Sequence, residues 1–233
     1  MDLIIELAIS WLVLRLALRK DLLVLGILPS GKRMMQFTVG FFGACFICGF
    51  NFFLQSIFSG TSWAWNNAVS PKSILNSVWW ILHSVLYEEL IFRGAFLYVA
   101  IQKIGIKRAC ILSAVAFGIY HWFSMNALGQ WVPMTYFFVV TGIMGYQFAL
   151  AYAKTNSLYL PIGIHFGWNL MSTLFFSQGP LGNQLLIPEP GERFSMIENI
   201  IVMLISNFAL PLITFLYLRW VQKDRVNQAM IKI

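Results

Sequence analysis

Charged residues are scarce in this sequence. Of its 233 residues, 11% are charged and 59% are hydrophobic, whereas soluble domains usually carry about 25% charged residues. Apolar runs close to the ~20 residues that a membrane-spanning helix needs recur along the whole chain. This composition excludes a soluble globular domain and predicts a polytopic membrane protein. The net charge is +7, but the bases cluster in short loops between apolar runs, so we expect a lipid bilayer and no nucleic acid as partner.

Cysteine is also rare, and its placement excludes a disulfide framework. The three cysteines, Cys45, Cys48 and Cys110, all lie in apolar runs. Cys45 and Cys48 form a C-x-x-C motif, but redox enzymes place this motif at the start of a soluble helix and not in mid-membrane. We interpret all three as packing residues. G-x-S-x-G and H-E-x-x-H are absent as well, so the sequence indicates neither a serine nucleophile nor a zincin-type site.

Seven hydrophobic segments divide the chain. From them we predict an all-α fold, a bundle of about seven (six to eight) transmembrane helices in a single membrane domain over residues 1–233. The first segment contains Glu6 and Arg15 and could lie in the interface, which would leave six crossings. The third is longer than a bilayer requires, so we expect it to tilt or project. The segments cover residues 3–18, 35–58, 73–102, 109–123, 134–153, 157–176 and 197–218.

The basic residues predict the orientation. The loops on one side hold Lys72 and Arg193, and Arg93 lies inside a hydrophobic segment. Because positively charged loops face the cytoplasm, we predict a cytoplasmic C-terminus and, for seven crossings, an external N-terminus. The other thirteen of the sixteen bases fall on the predicted cytoplasmic side: Arg15, Arg19, Lys20, Lys32, Arg33, Lys103, Lys107, Arg108, Lys154, Arg219, Lys223, Arg225 and Lys232.

Three ionisable residues, Glu88, Glu89 and Arg93, lie inside the third apolar segment, in the stretch "YEELIFRG". Left unpaired at a helix centre, they would together cost roughly 8–10 kcal/mol. Glu89 and Arg93 are four residues apart, so they face each other as an ion pair. Glu88 is rotated by about 100° from Glu89 and points elsewhere. It therefore needs a partner on another helix, and a carboxyl group in such a place suits a general base or acid.

Two later segments contribute further polar residues. His121 follows Phe117 by one turn, and His165 and Asn169 are four residues apart on one helix face. Each alone has a structural explanation, because His and Asn often form hydrogen bonds between membrane helices. Together with the charged trio, they predict a polar active-site cavity inside the bilayer.

This set of side chains contains the minimum number of groups needed to hydrolyse an acyl bond. Glu88 would deprotonate a water molecule, helped or oriented by His121. His165 and Asn169 would stabilise the oxyanion of the tetrahedral intermediate.

The motifs E-E-x-x-x-R, F-x-x-x-H and H-x-x-x-N, in this order on successive apolar segments, resemble the CAAX protease and bacteriocin-processing (CPBP/Abi) family of intramembrane proteases, which is related to the CAAX prenyl endopeptidases. The resemblance covers about residues 72–176, which we interpret as the catalytic core. By residue, it implies water activation by Glu88 and His121, a structural ion pair of Glu89 with Arg93, and an oxyanion site of His165 with Asn169.

The sequence leaves the metal requirement open. The family is commonly labelled a metalloprotease family, and catalytic zinc normally takes three protein ligands and a water molecule. If a zinc ion is present, Glu88, His121 and His165 are its expected ligands. A metal-free glutamate mechanism would use the same residues in another way.

The expected substrate is a membrane-associated peptide or protein, such as a CAAX-like C-terminus, a bacteriocin precursor or a pheromone precursor. A bacterial plasma membrane is the expected location. Two other classes compete with the peptidase hypothesis. A proton-coupled transporter could use the same side chains as a relay, although the sequence has no pair of broken repeat segments. A non-catalytic immunity-type membrane protein would retain the fold without the activity.

Overall fold

The structure is a computed structural model that describes residues 2–189 and 196–231. Its described residues are mainly helical, as the sequence predicts. A short 3-10 helix, Leu22–Leu25, follows the first α-helix, and a π-helical turn, Leu170–Phe175, continues the seventh. Within the described ranges the α-helices are α1 Asp2–Leu18, α2 Gly31–Ser59, α3 Pro71–Arg93, α4 Ala95–Ile104, α5 Ile106–Ser124, α6 Trp131–Thr155, α7 Tyr159–Asn169 and α8 Met196–Ile231.

The third hydrophobic segment is divided between two helices, α3 and α4, and its tilt stays a prediction. Gly94 separates α3 from α4, with ψ at −134°. A Cβ atom at Gly94 would lie 2.2 Å from the carbonyl oxygen of Leu90, so a larger residue does not fit this backbone. The break makes Arg93 the last residue of α3 and turns the chain into a second, shorter helix.

Three helices are long and apolar enough to cross a membrane by length and composition alone, among the residues described. They are Gly31–Phe58 in α2, Trp131–Thr155 in α6 and Ile200–Val221 in α8. These apolar helices agree with an integral membrane protein. The number of crossings and the orientation stay predictions, and Arg193 and Lys232, which the orientation argument used, lie outside the described residues.

Close packing of α7 against α2 depends on two glycines. A Cβ atom at Gly163 would lie 2.4 Å from the carbonyl oxygen of Phe37, and one at Gly167 would lie 2.4 Å from that of Phe41. Gly163 and Gly167 form a G-x-x-x-G pattern, which lets membrane helices approach closely. His165 lies two residues from each glycine, and a rotation of about 200° places it on the opposite face of α7.

Two cysteines contribute to the same helix pair. The Cys45 thiol lies 3.5 Å from the carbonyl oxygen of Gly167, and the Cys48 thiol lies 3.8 Å from that of Trp168. Both are free thiols. The C-x-x-C motif thus places its side chains against α7.

A two-stranded ribbon adds β structure to the predicted all-α fold. Strand β1, Ser62–Trp65, pairs antiparallel with β2, Leu186–Glu189, and Ser62 stands opposite Glu189. Trp63 of β1 packs against Phe176 with ring centroids 4.9 Å apart. The ribbon was missed because each strand is only four residues long, too short for its alternation to be read within an apolar sequence.

Candidate active site

The end of α3 carries a fully buried ion pair. Nη1 of Arg93 lies 3.2 Å from Oε1 of Glu89, and both side chains are 0% exposed. Nη2 of Arg93 also donates to the carbonyl oxygen of Gly145 on α6, at 3.3 Å. The guanidinium therefore ties α3 to α6 as well as to its own helix.

Three phenylalanine rings surround the Arg93 guanidinium. Its Cζ atom lies 4.2 Å from the ring centroid of Phe117, 5.0 Å from that of Phe148 and 5.7 Å from that of Phe92. Such contacts stabilise a cation where water is excluded. Gly145 leaves room for this arrangement, because a Cβ atom there would lie 3.0 Å from the Phe117 side chain.

His165 of α7 lies between the two glutamates. Its Nδ1 is 2.9 Å from Oε1 of Glu89, and its Nε2 is 3.8 Å from Oε2 of Glu88. The ring stacks on Phe148 with centroids 4.8 Å apart and an interplanar angle of 18°. Because an ionised carboxylate can only accept, Nδ1 carries the proton in the contact with Glu89. Nε2 is then the ring nitrogen directed toward Glu88.

Glu88 differs from Glu89 in its access to solvent. Its side chain is 12% exposed, whereas the Glu89 side chain is 0% exposed. The separation of 3.8 Å between Oε2 of Glu88 and His165 Nε2 is too long for a hydrogen bond, and this oxygen is buried without a hydrogen-bond partner among the described residues. The partial exposure of its side chain makes Glu88 the carboxylate of the pair that can meet a water molecule.

His121 of α5 is held by its own helix. Its Nδ1 lies 2.8 Å from the carbonyl oxygen of Phe117, one turn earlier. Since a carbonyl only accepts, Nδ1 carries the proton, and Nε2 of the neutral ring is left as an acceptor. The ring is 7% exposed and packs edge-on against Phe117 and Tyr120, with centroids 4.5 Å and 5.3 Å apart.

Asn169 ends α7 one turn after His165 and is half-buried. The π-helical turn Leu170–Phe175 begins at the next residue. Such turns often occur at functional sites, because they change the direction in which successive side chains point. His165 and Asn169 lie about 40° apart around α7, on the face away from Gly163 and Gly167.

Phe117 connects the two histidines. Its ring centroid is 4.5 Å from that of His121 and 6.2 Å from that of His165. The fold thus gathers α3, α5, α6 and α7 around one polar cluster. The histidine in contact with Glu88 is His165, and the expectation that His121 lies within hydrogen-bond or one-water reach of Glu88 stays a prediction.

Several residues of this cluster were not found from the sequence. Spacing along a helix indicated the pairing of Glu89 with Arg93 but could not show that His165, on another helix, bonds to the same carboxylate. Phe92, Phe148 and Gly145 were missed for the same reason. The G-x-x-x-G of α7 was a usable signal, since it predicts which face of α7 packs closely and so which face carries His165.

The candidate metal ligands are not grouped as a metal centre within the described part of the chain. Among the described residues, no group of three or more His, Cys, Asp or Glu side chains is arranged to hold a metal ion. Nδ1 of His121 contacts a backbone carbonyl and Nδ1 of His165 contacts Glu89. This arrangement leaves both Nε2 atoms open and is also common for histidines that bind a metal.

A cavity of about 410 Å³ lies beside the cluster, between α1 and the helices α3 and α4. Glu6 and Ser10 of α1 line it, together with Tyr87, the neighbour of Glu88 in the chain. Its lining does not include Glu88 or the two histidines. The predicted cavity around the catalytic groups stays a prediction.

A helical membrane protein that buries Glu89, Arg93 and two histidines where four helices meet, with Glu88 half-buried beside them, has an internal polar site. Residues 70–171 match the family model described as Type II CAAX prenyl endopeptidase Rce1-like. All three motifs lie in this segment, and the match supports the resemblance that they indicate. The family indicates a membrane-embedded protease that acts on a peptide or protein substrate. Comparison with curated proteins and with solved structures gave no match.

Proposed function

We propose that the protein is an intramembrane endopeptidase that hydrolyses a peptide bond with a water molecule activated by Glu88. The observation that carries the proposal is the buried chain of contacts from Arg93 through Glu89 to His165 and on to Glu88. Glu89 is engaged by both Arg93 and His165, so Glu88 is the carboxylate left for the reaction. Its partial exposure supports this role.

Glu88 acts as the general base in this mechanism. It takes a proton from water as the oxygen attacks the scissile carbonyl, and it then returns the proton to the leaving amine. His121 helps to orient the water through its Nε2, the nitrogen that the Phe117 contact leaves as an acceptor. The proposal requires that a single water molecule can contact both Glu88 and His121.

His165 and Asn169 stabilise the oxyanion of the tetrahedral intermediate. For this role Nε2 of His165 must also carry a proton, so that the ring donates from both nitrogens. Glu89 and the stacked Phe148 fix the ring plane, which keeps Nε2 in a set direction. Preorganised donors of this kind commonly contribute about 10²–10³-fold to the rate.

The substrate is a membrane-associated peptide or protein with a CAAX-like C-terminus, or a bacteriocin or pheromone precursor. The description of the matching family favours a prenylated C-terminal peptide. We further propose that the protein lies in a bacterial plasma membrane. From the distribution of bases in the loops, we propose that its C-terminus is in the cytoplasm.

Glu88→Gln tests the proposal most directly. The purified protein is reconstituted in liposomes, and cleavage of a fluorogenic prenylated CAAX peptide is followed alongside bacteriocin and pheromone precursor peptides. Glu88→Gln should lower the cleavage rate by about 10²-fold or more and leave the melting temperature unchanged. Glu189→Gln, the same change at an exposed residue of strand β2, should keep the full rate. Wild-type cleavage by folded Glu88→Gln would refute the mechanism and favour a non-catalytic role for the cluster.

A further inference from the structure

A groove on the outside of the helix bundle lies between α5, α6 and α8, away from the candidate active site. It has a volume of about 810 Å³, within the range of roughly 300–1,000 Å³ that ligand sites occupy. Its lining is mainly aliphatic and aromatic. The groove extends from Ile111 to Val115 on α5, from Phe138 to Leu150 on α6 and from Phe208 to Leu218 on α8.

A polar contact joins two of these helices across the groove. Nε2 of Gln147 on α6 donates to Oγ1 of Thr214 on α8 at 2.7 Å, and both side chains are buried. The contact fixes the distance between α6 and α8. It gives the groove a defined width instead of leaving two helices in loose contact.

Each lining helix carries a base on its groove face, at or beyond the end of the groove. Positions three, four or seven residues apart share one side of a helix. On α5, Arg108 is three residues from Ile111 and seven from Val115. On α6, Lys154 is four residues from Leu150 and seven from Gln147. On α8, Arg219 is four residues from Phe215. The Cζ atom of Arg219 lies 5.0 Å from the ring centroid of Phe215, which lines the groove. Arg108 and Arg219 are exposed, and Lys154 is half-buried.

The three bases lie at the same end of the bundle. Trp122, near the end of α5, donates to the carbonyl oxygen of Met134, near the start of α6, at 2.9 Å. The two helices are therefore antiparallel, and the start of α5 lies beside the end of α6.

The course of α8 completes this arrangement. Ser206 donates to Asn51 in the second half of α2 at 2.7 Å, whereas Thr214 lies beside Gln147 in the second half of α6. Because the first half of α2 packs on α7, which directly follows α6, the progression from Ser206 to Thr214 runs toward the end of α6. Arg219 thus joins Arg108 and Lys154.

The length of the groove corresponds to one leaflet of a bilayer. Phe208 and Leu218 of α8 are ten residues apart, which is about 15 Å at the rise of an α-helix. The hydrocarbon core of a bilayer is about 30 Å thick. A lipid tail that lies in the groove from its basic end would therefore reach about the midplane.

We propose that this groove binds one anionic phospholipid of the adjoining leaflet, with its acyl chain along α6 and α8 and its phosphate among Arg108, Lys154 and Arg219. The sequence has no aspartate or glutamate between Glu89 and Glu189, so α5 and α6 place no carboxylate near the head group. Basic residues between transmembrane helices recognise anionic head groups in this way. A zwitterionic lipid such as phosphatidylcholine could fill the same groove, but its choline cation would be repelled by the three bases.

Native mass spectrometry of the purified full-length protein, titrated with phosphatidylglycerol or phosphatidylcholine, tests the proposal. The wild type should hold one phosphatidylglycerol in preference to phosphatidylcholine. Arg108→Gln/Arg219→Gln should weaken the phosphatidylglycerol affinity roughly 10- to 30-fold. Lys20→Gln/Lys32→Gln removes two exposed bases outside the groove and should leave the affinity unchanged.

A second variant tests the groove itself. Gly142 lines it, and a Cβ atom there would meet its nearest neighbour, the Ala114 carbonyl oxygen, at an ordinary 3.6 Å. Gly142→Leu should therefore fold and reduce bound phosphatidylglycerol by filling the space of the acyl chain. Equal binding of the two lipids, equal losses in both charge variants, or full binding by Gly142→Leu would each overturn the proposal.

Discussion

Oε1 of Glu89 lies 2.9 Å from Nδ1 of His165 and 3.2 Å from Nη1 of Arg93. One carboxylate oxygen thus links a residue of its own helix to a residue of α7. With the bond from Arg93 to the Gly145 carbonyl oxygen, this centre connects α3, α6 and α7. Glu89 therefore positions the candidate oxyanion residue in addition to neutralising Arg93.

Glu89→Gln should destabilise the protein strongly. The change removes the ion-pair partner of the buried Arg93 guanidinium, and such losses cost about 3–5 kcal/mol. We expect a clearly lower melting temperature in a detergent of fixed composition. Glu88→Gln, the same change at the neighbouring residue, should leave the melting temperature at the wild-type value. Equal melting temperatures for all three proteins would contradict the structural role of Glu89.

Arg93→Lys should also destabilise the protein, although it keeps the charge. An ammonium group lacks the planar fork that reaches Glu89 and the Gly145 carbonyl oxygen together. A buried acceptor that loses its donor costs about 1–3 kcal/mol. Thermal unfolding is the measurement, and Arg108→Lys at an exposed site is the matched control. An Arg93→Lys protein as stable as this control would show that the fork geometry is unimportant.

Gly167→Ala should separate α7 from α2. Its Cβ atom would lie 2.4 Å from the Phe41 carbonyl oxygen, so one helix must move. His165 and Asn169 move with α7, and we expect both stability and peptide cleavage to fall.

Gly43→Ala is the control for this change. Gly43 lies on α2, and a Cβ atom there would have no neighbouring side chain or helix within 4 Å. Alanine at this position should therefore stabilise the helix by roughly 0.5–1 kcal/mol. If both alanine variants behave alike, the close approach at Gly167 does not control the site.

The spacing of residues along one helix predicted contacts within that helix. Contacts between helices could not be predicted from such spacing. The four-residue interval of Glu89 and Arg93 gave the ion pair because both side chains hang on the same helix face. The contact of Glu89 with His165 depends on how α7 crosses α3, and the spacing of residues within either helix does not show this. The break at Gly94 was hidden because apolar residues continue on both sides of it, so hydrophobicity alone merged α3 and α4.

Solvent access to Glu88 can be tested with cysteine labelling. In a background with Cys45, Cys48 and Cys110 replaced by alanine, Glu88→Cys should react with a membrane-impermeant thiol reagent, because the Glu88 side chain is 12% exposed and the thiolate forms where water reaches. Val85→Cys, on the same helix at 0% exposure, should stay unlabelled. Adding the reagent to one side of sealed vesicles at a time shows which side the site opens to. If the reagent labels neither protein from either side, while the cysteine-free parent still cleaves peptide, then Glu88 is closed to bulk water at rest, and the site must open before hydrolysis.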